Sequence, residues 1–272
     1  MAITTLDGAI AGMNPPEPYM KVGVTMAAVA AQRAYTPWYA AGNPGASVAN
    51  AAGINGQAVT PALGTSVDGR IRRTNPGAGN AYLARLGVQA TVAGTLWLID
   101  RVWQNSGLVV TSTGAQAITP AALPSRSGDG TANGANIMAM IEWSAAGGAG
   151  VPTVTLSYTD QDGNTGATGT FTGVASPPAG TCEIFTLAAG DTGIRAPTSF
   201  IQSATRTSGT MHLVLFRCLA QIECTSANIG NSIDALTSGF PQLFNDTTLQ
   251  LLWFPTATTA TTISGQYIET QG

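Results

Sequence analysis

Charged side chains are scarce in this sequence. Asp, Glu, Lys and Arg make up 9% of its 272 residues, whereas roughly 25% is usual for a soluble protein. Lys21 is the one lysine, and the net charge of −3 gives no electrostatic reason to bind nucleic acid. Because Lys and Glu are depleted from interface cores, we expect neighbouring subunits to cover much of the surface.

Low charge does not mean disorder here. Disordered chains are usually charged and poor in aromatic side chains. Four tryptophans of this chain lie inside apolar runs: Trp97, Trp103, Trp143 and Trp253. We therefore expect a folded chain whose surface is solvated by Ser, Thr, Asn, Gln and Gly.

Residues that carry chemistry are also few. His212 is the one histidine; it lies in an apolar run, and we interpret it as a core residue. No G-x-S-x-G nucleophile motif occurs, and no glycine loop of the phosphate-binding type precedes Lys21. The closely spaced Asp160 and Asp162 lie in a predicted hairpin turn. We expect no catalytic residue, no metal site and no cofactor, and hence a protein that is not an enzyme.

Targeting and membrane segments are not apparent either. The stretch Met1–Met13 lacks the positive charge of a secretion signal. Val22–Gln32 is apolar but shorter than the about 20 residues that span a bilayer. We expect a protein that is made in a cytoplasm and has no membrane partner.

The three cysteines, Cys182, Cys218 and Cys224, have no C-x-x-C spacing and are odd in number. We favour buried free thiols. The alternative is that one of them forms a disulfide between subunits once the protein reaches an oxidising medium. Cys218 and Cys224 are an even number of residues apart on a predicted strand, which places them on the same face.

The first 80 residues differ from the rest. Thr5 or Asp7 is a candidate cap for a short helix that ends by Met13. The stretch Ala41–Asn80 is rich in Gly, Pro, Asn and Ala and is too long for an ordinary connection. We interpret it as a disordered insert or as an arm that becomes ordered on another subunit. The predicted division is therefore an N-terminal segment and arm, 1–80, and a β body, 81–272.

Arginines supply the candidate interface residues. Arg70, Arg72 and Arg73 cluster at the end of the arm, beside Asp68. They are either donors of salt bridges between subunits or solvated charges. Arg101 follows Asp100 in an apolar strand and is better placed for a buried or interfacial pair.

Most of the body has the pattern of β-strands. Ala90–Trp103 is aromatic and apolar on both faces, as a central strand is. Further strands are predicted at Ile137–Trp143, Thr153–Thr159, a Thr/Gly stretch ending at Phe171, Thr181–Leu187, Thr198–Arg206, Met211–Cys224, Leu249–Phe254 and Thr262–Glu269.

Met211–Cys224 changes character along its length. Its even positions form a nearly continuous apolar face, whereas its odd face becomes polar at Arg217, Gln221 and Glu223. We expect this strand to leave a core that is apolar on both faces and to emerge at a surface or interface. A short helix is predicted after it, capped by Asn231 or Ser232 and ended by Gly239.

These patterns predict an all-β fold. About eight or more short strands, turn signals between them and little helical periodicity are typical of a jelly roll or β-sandwich. We add an extended Gly/Pro-rich N-terminal arm and one or two short helices. Since no repeat of fixed period is present, a propeller is not expected.

Four segments resemble virion structural proteins of tailed bacteriophages: MAITTLDGAIAGM, GTLWLIDRVWQNSGL, AGDTGIR and IDALTSGFP. The resemblance covers most of the chain and carries over no catalytic residue. It implies a structural protein of the virion, assembled in the host cytoplasm. An accessory head decoration or neck and collar protein fits best, with copies of itself, as a trimer, and other virion proteins as partners.

Two alternatives remain. A tail tube protein fits the length, although such a protein normally has a clear central helix. A host-surface or glycan-binding module of the receptor-binding or fibre type would use an aromatic platform, for which Tyr35, Trp38 and Tyr39 are the candidates.

Overall fold

The all-β prediction is confirmed. A computed structural model describes residues 5–26, 33–61, 69–239 and 241–272. The two α-helices in these ranges are short, α1 (Leu6–Ala11) and α2 (Ala235–Ser238). The strands, in chain order, are β1 (Glu17–Val24), β2 (Arg33–Tyr35), β3 (Gly42–Asn43), β4 (Gln57–Ala58), β5 (Ala81–Ala90), β6 (Gly94–Gln104), β7 (Gln116–Ala117), β8 (Ile137–Ala145), β9 (Thr153–Asp160), β10 (Thr165–Thr172), β11 (Thr181–Ile184), β12 (Ile194–Gln202), β13 (Thr210–Cys224), β14 (Asn231–Asp234), β15 (Gln242–Leu243), β16 (Leu249–Pro255) and β17 (Thr261–Gln271).

A closed ring of six antiparallel strands forms the centre. In order around the ring they are β13, β8, β11, β2, β16 and β6, and the ring closes because β13 pairs with both β8 and β6. The narrowest seam is the single pair of Trp253 on β16 with Tyr35 on β2. Each ring strand is therefore paired on both edges over part of its length.

One apolar cluster fills the inside of this barrel. Each of the six ring strands contributes to it: Ala34, Ile99, Met140, Cys182, Ile184, Val214, Phe216 and Leu252. Side chains of a strand alternate between two faces, so the neighbouring residues on the same strands point outward. The outward face of β13, for example, carries Leu213 and Leu215.

Two outer sheets cover the barrel. The sheet β14–β5–β17–β1–β3, with β15 also paired to β5, packs on one side, and the sheet β10–β9–β12–β7 packs on the other. The first interface includes Leu86 and Tyr267 from the outer sheet and Leu98 from the barrel. The second includes Leu156 from the outer sheet and Trp143 from the barrel. The molecule therefore has three apolar cores, one inside the barrel and one between the barrel and each outer sheet.

The Gly/Pro-rich stretch 41–80 does not form an arm in its described parts, 41–61 and 69–80. β3 pairs with β1, β4 pairs with β6, and Ile71 bridges to Leu249. The glycines permit close packing: a Cβ on Gly56 would lie 2.2 Å from the Trp103 ring, and one on Gly69 would lie 2.6 Å from the Trp38 carbonyl. The expectation of ordering on another subunit is therefore corrected, because this backbone lies on its own chain. Strands before and after residue 80 also share sheets.

Three local predictions also need correction. Ala90–Trp103 is not one strand, because β5 ends at Ala90 and β6 begins at Gly94. The cap of α2 is Asp234, whose carboxylate accepts from the N–H groups of Leu236 and Thr237, whereas Asn231 and Ser232 belong to β14. The end of α2 at Gly239 is confirmed by its left-handed φ of 71°.

The prediction of one continuous apolar even face on β13 is also wrong. A register shift between Cys218 and Ala220 breaks the expected even face. Cys224 therefore lies in the apolar core between barrel and outer sheet, whereas Cys218 is partly exposed and outside that core. Beyond the shift, Gln221 and Glu223 are exposed, as the polar odd face predicts.

Gly265 and Gly87 lie on the paired strands β17 and β5 and make a matched test of packing. A Cβ on Gly265 would lie 1.9 Å from the Gly87 carbonyl oxygen and 2.5 Å from the Tyr19 hydroxyl, whereas a Cβ on Gly87 meets no atom closer than 3.6 Å. We expect Gly265→Ala to lower the free energy of unfolding by roughly 1–3 kcal/mol or more. Gly87→Ala should be neutral or should raise it by about 0.5–1 kcal/mol. Denaturant unfolding of both variants checks this, and equal losses would contradict it.

Candidate functional site

The polar end of the barrel holds a buried ion pair. Arg101 on β6 and Glu142 on β8 are completely buried, and Arg101 Nη1 donates to Glu142 Oε2 over 2.7 Å. Burial alone would raise the pKa of Glu142, but the charge and hydrogen bond of Arg101 hold it below its ordinary value. Because an unpaired charge is costly to bury, each group depends on the other.

Further side chains complete the network around this pair. The Tyr39 hydroxyl donates to Glu142 over 2.8 Å, and the Gln250 amide nitrogen donates to the same carboxylate over 2.8 Å. Arg101 Nε donates to Gln104 over 2.7 Å. Burial, together with the neighbouring Glu142, raises the pKa of Tyr39 well above its ordinary value, so this phenol remains a donor.

His212 closes the same end of the barrel. It is completely buried, which confirms the prediction of a core histidine. Nδ1 lies 2.9 Å from the Asn105 carbonyl oxygen and Nε2 lies 2.7 Å from the Ser144 hydroxyl. A carbonyl can only accept, so Nδ1 carries the proton and the Ser144 hydroxyl donates to Nε2. Burial lowers the pKa of His212, and the neutral ring links β8 and β13 to Asn105, which directly follows β6.

Three other buried carboxylates pair with arginines. Asp100 lies 3.5 Å from Arg126 and 3.9 Å from Arg217. Glu269 accepts from Arg73 Nε over 3.1 Å, and Glu183 lies 3.9 Å from both Arg33 and Arg206. The arginine side chains in these pairs are at most 11% exposed. The described chain therefore uses most of its arginines inside the fold.

The surface consequently carries even less positive charge than the composition suggests. Lys21 is 1% exposed and donates to the carbonyl oxygens of Ala40 and Gly45. Burial lowers its pKa to about 8. Among the eleven Lys and Arg residues, the exposed ones are Arg72, Arg85 and Arg195. A surface of this kind offers neighbours hydrogen bonds and apolar contact more than ion pairs.

The other end of the barrel is apolar and open. A pocket of about 540 Å³ is lined there by Trp97, Met138, Ile184 and Phe254, with Asp191 and Thr192 among its polar residues. The rings of Trp97 and Phe254 lie 4.5 Å apart. The mouth of a barrel is a common place for an apolar ligand or side chain.

The predicted interface arginines divide into two groups. Arg101 forms the buried one of the two kinds of pair predicted for it, and Arg73 is paired with Glu269 of its own chain rather than placed at an interface. Arg72 is exposed and Arg70 is partly exposed, and both lie beside a pocket of about 440 Å³ with Glu17 and Glu269. Asp68 lies outside the described residues. Arg70 and Arg72 remain predicted interface residues.

The aromatic platform that would hold a glycan is not present as predicted. Tyr35 is completely buried in the ring seam and Trp38 is 2% exposed, with the Arg101 guanidinium 5.0 Å from its ring. Tyr39 is partly exposed but directs its hydroxyl to Glu142. Trp38 and Tyr39 therefore pack over the Arg101–Glu142 pair at the polar end of the barrel.

The sequence contains a signal for the buried network. Arg101, Glu142 and Gln250 each interrupt an otherwise apolar strand, and a polar residue in such a position is usually paired when buried. Their partners, however, are 41 to 149 residues away along the chain. Which of these polar side chains pair with each other could not be predicted without the order of the strands in the barrel.

Comparison with protein-family models, curated proteins and solved structures found no match. In the described ranges, no three His, Cys, Asp or Glu side chains come together as a metal site. Neither helix of these ranges has the length and apolar character needed to cross a bilayer.

The Arg101–Glu142 pair gives a test of the barrel. Glu142→Leu should lower the free energy of unfolding by roughly 3–5 kcal/mol, because it leaves Arg101 buried without a counter-charge. The double variant Arg101→Met/Glu142→Leu should recover much of this loss, since neither charge remains. A denaturant double-mutant cycle measures the coupling, and additive losses would contradict it.

The cysteines give a second test. Cys182 and Cys224 are buried, and Cys218 is partly exposed. Burial raises the pKa of Cys218 to about 11, so only about 0.1% is thiolate at pH 8, and the thiolate is the reactive form. We expect the native protein to react slowly with a thiol reagent and to run as a monomer on non-reducing electrophoresis. Fast labelling of Cys218, with Cys218→Ser as the control, or a disulfide-linked dimer would contradict this.

Proposed function

We propose that this chain is a non-enzymatic structural protein of a tailed-phage particle. Within the particle it is an accessory head decoration or neck and collar protein that binds copies of itself, as a trimer, and other virion proteins. It is assembled in the host cytoplasm and acts in the virion. The four segments that resemble phage structural proteins support the phage origin.

The observation that carries the structural role is the placement of charge. Six arginines are paired with four carboxylates inside the fold, while most of the exposed surface is uncharged. An interface between copies removes surface charges from water, which is unfavourable unless each charge finds a partner. A surface with few charges avoids that cost, so it suits a symmetric assembly.

Apolar exposure supports the same role. Leu6 and Ile10, four residues apart on α1, are 66% and 55% exposed, and residues with this spacing share a helix face. The barrel mouth with Trp97 and Phe254 supplies a second apolar surface. Apolar area that becomes covered on assembly contributes about 25 cal/mol per Å², which symmetric repetition multiplies.

A jelly roll or β-sandwich is the expected scaffold of such proteins, and the outer sheets packed against the barrel provide sheet-on-sheet contact of the sandwich kind. The rings on which the glycan-binding alternative depends are buried, or partly buried in the case of Tyr39, so no observation favours that alternative.

Electron microscopy of purified particles tests the proposal. We expect the chain at the head or neck in a symmetric number of copies, and its absence from the particle would contradict the function.

The purified chain should form oligomers whose dissociation constant changes less than about threefold between 50 and 500 mM NaCl, because few surface charges exist to be screened. A monomer at micromolar concentration, or strong weakening by salt, would contradict the uncharged interface.

A further inference from the structure

The cluster around Asp100 contains more positive than negative charge. Arg126 and Arg217 share the Asp100 carboxylate, and the side chains of the three residues are 2%, 7% and 0% exposed. Asp100 also accepts from the Thr248 N–H over 3.0 Å. Two guanidinium groups and one carboxylate leave one positive charge in excess in a buried place, which is unfavourable unless another group offsets it.

The hydrogen bonds of the two arginines do not remove this excess. Arg126 donates to four backbone carbonyls, those of Val59, Arg101, Val102 and Asp246. Arg217 donates to the Gln242 carbonyl over 2.8 Å. Carbonyl groups solvate a cation but carry no net charge. The Nε atoms of both arginines are buried and have no hydrogen-bond partner in the described chain.

A pocket of about 380 Å³ opens beside this cluster. Arg126 lines it, and so do side chains that can donate hydrogen bonds: Thr60, Asn80, Ser125, Gln242 and Asn245. Phe244 lines it as well, and the Arg217 guanidinium lies 4.5 Å from the centre of that ring. A concave site that combines donors with a buried cation has the chemistry of an anion site.

One carboxylate competes with an incoming anion. Asp246 lines the same pocket and is exposed, and its Oδ1 accepts from Asn75 over 2.8 Å. Arg73, which donates to the Phe244 carbonyl, is offset by its own partner Glu269. Asp246 is exposed, and solvent screens its charge. It therefore offsets the excess charge of the buried cluster only in part, and affinity for an anion should depend strongly on that residue.

We propose that the pocket beside Arg126 binds a small oxyanion, a phosphate or a carboxylate, which offsets the excess charge of the Asp100 cluster. The anion enters from solvent, accepts hydrogen bonds from the donors of the pocket and lies near the buried guanidinium groups. This inference does not depend on the proposed place in a phage particle.

The test uses the full chain with inorganic phosphate in one arm and acetate in the other. We expect at least one of the two anions to raise the midpoint of thermal unfolding in a saturable way, compared with sodium chloride at the same ionic strength and pH. Titration calorimetry with that anion gives the dissociation constant. Binding of phosphate alone indicates a phosphate ligand, and binding of acetate indicates a carboxylate.

Two matched variants locate the site. Asp246→Asn removes the competing charge and should lower the dissociation constant by about threefold or more. Asp162→Asn makes the same change at an exposed hairpin turn outside the pocket and should leave it unchanged. Arg126 stays unaltered because it holds four backbone carbonyls. The proposal is overturned if neither anion stabilises more than chloride does, or if both variants have the same effect.

Discussion

Pairing between buried arginines and buried carboxylates is the constraint on which the rest of this structure depends. A barrel of six strands needs side chains to fill its inside, and here apolar groups fill the middle while Arg101 and Glu142 close one end. Neither charge is tolerable inside without the other. The pair and its Tyr39 and Gln250 partners join β6, β8 and β16 with the turn at Pro37–Tyr39.

The same principle explains how the outer parts attach. Glu269, near the end of β17, is held by Arg73 from the stretch 69–80, and Glu183 on β11 faces Arg33 on β2 and Arg206 after β12. Each pair connects segments that are distant in sequence. Residues 41–61, by contrast, attach through two glycines whose backbone lies close to its neighbours, Gly42 against the Met20 carbonyl and Gly56 against the Trp103 ring. Charge and close packing thus replace regular secondary structure in fixing these segments.

The sequence predicts the strands better than their arrangement. Alternation and apolar runs identified β8, β9, β10, β13 and β16, because side-chain spacing is a local property. Ring closure through β13, and the folding back of the stretch 41–80, depend on contacts between distant residues. The Gly/Pro content of that stretch indicated an absence of regular structure correctly. It could not show whether the backbone packs on its own chain, because Gly56 and Gly69 have no side chain to reveal a partner.

The inward placement of the cations has a consequence for proteolysis. Trypsin cuts after Lys and Arg in chain that is exposed and can enter its active site. Of the exposed arginines, Arg85 lies in β5 and Arg195 in β12, where sheet pairing holds the backbone. Arg72 lies outside these strands. A folded copy should therefore resist this protease elsewhere in its described chain, and a first cut would fall between Arg70 and Arg73.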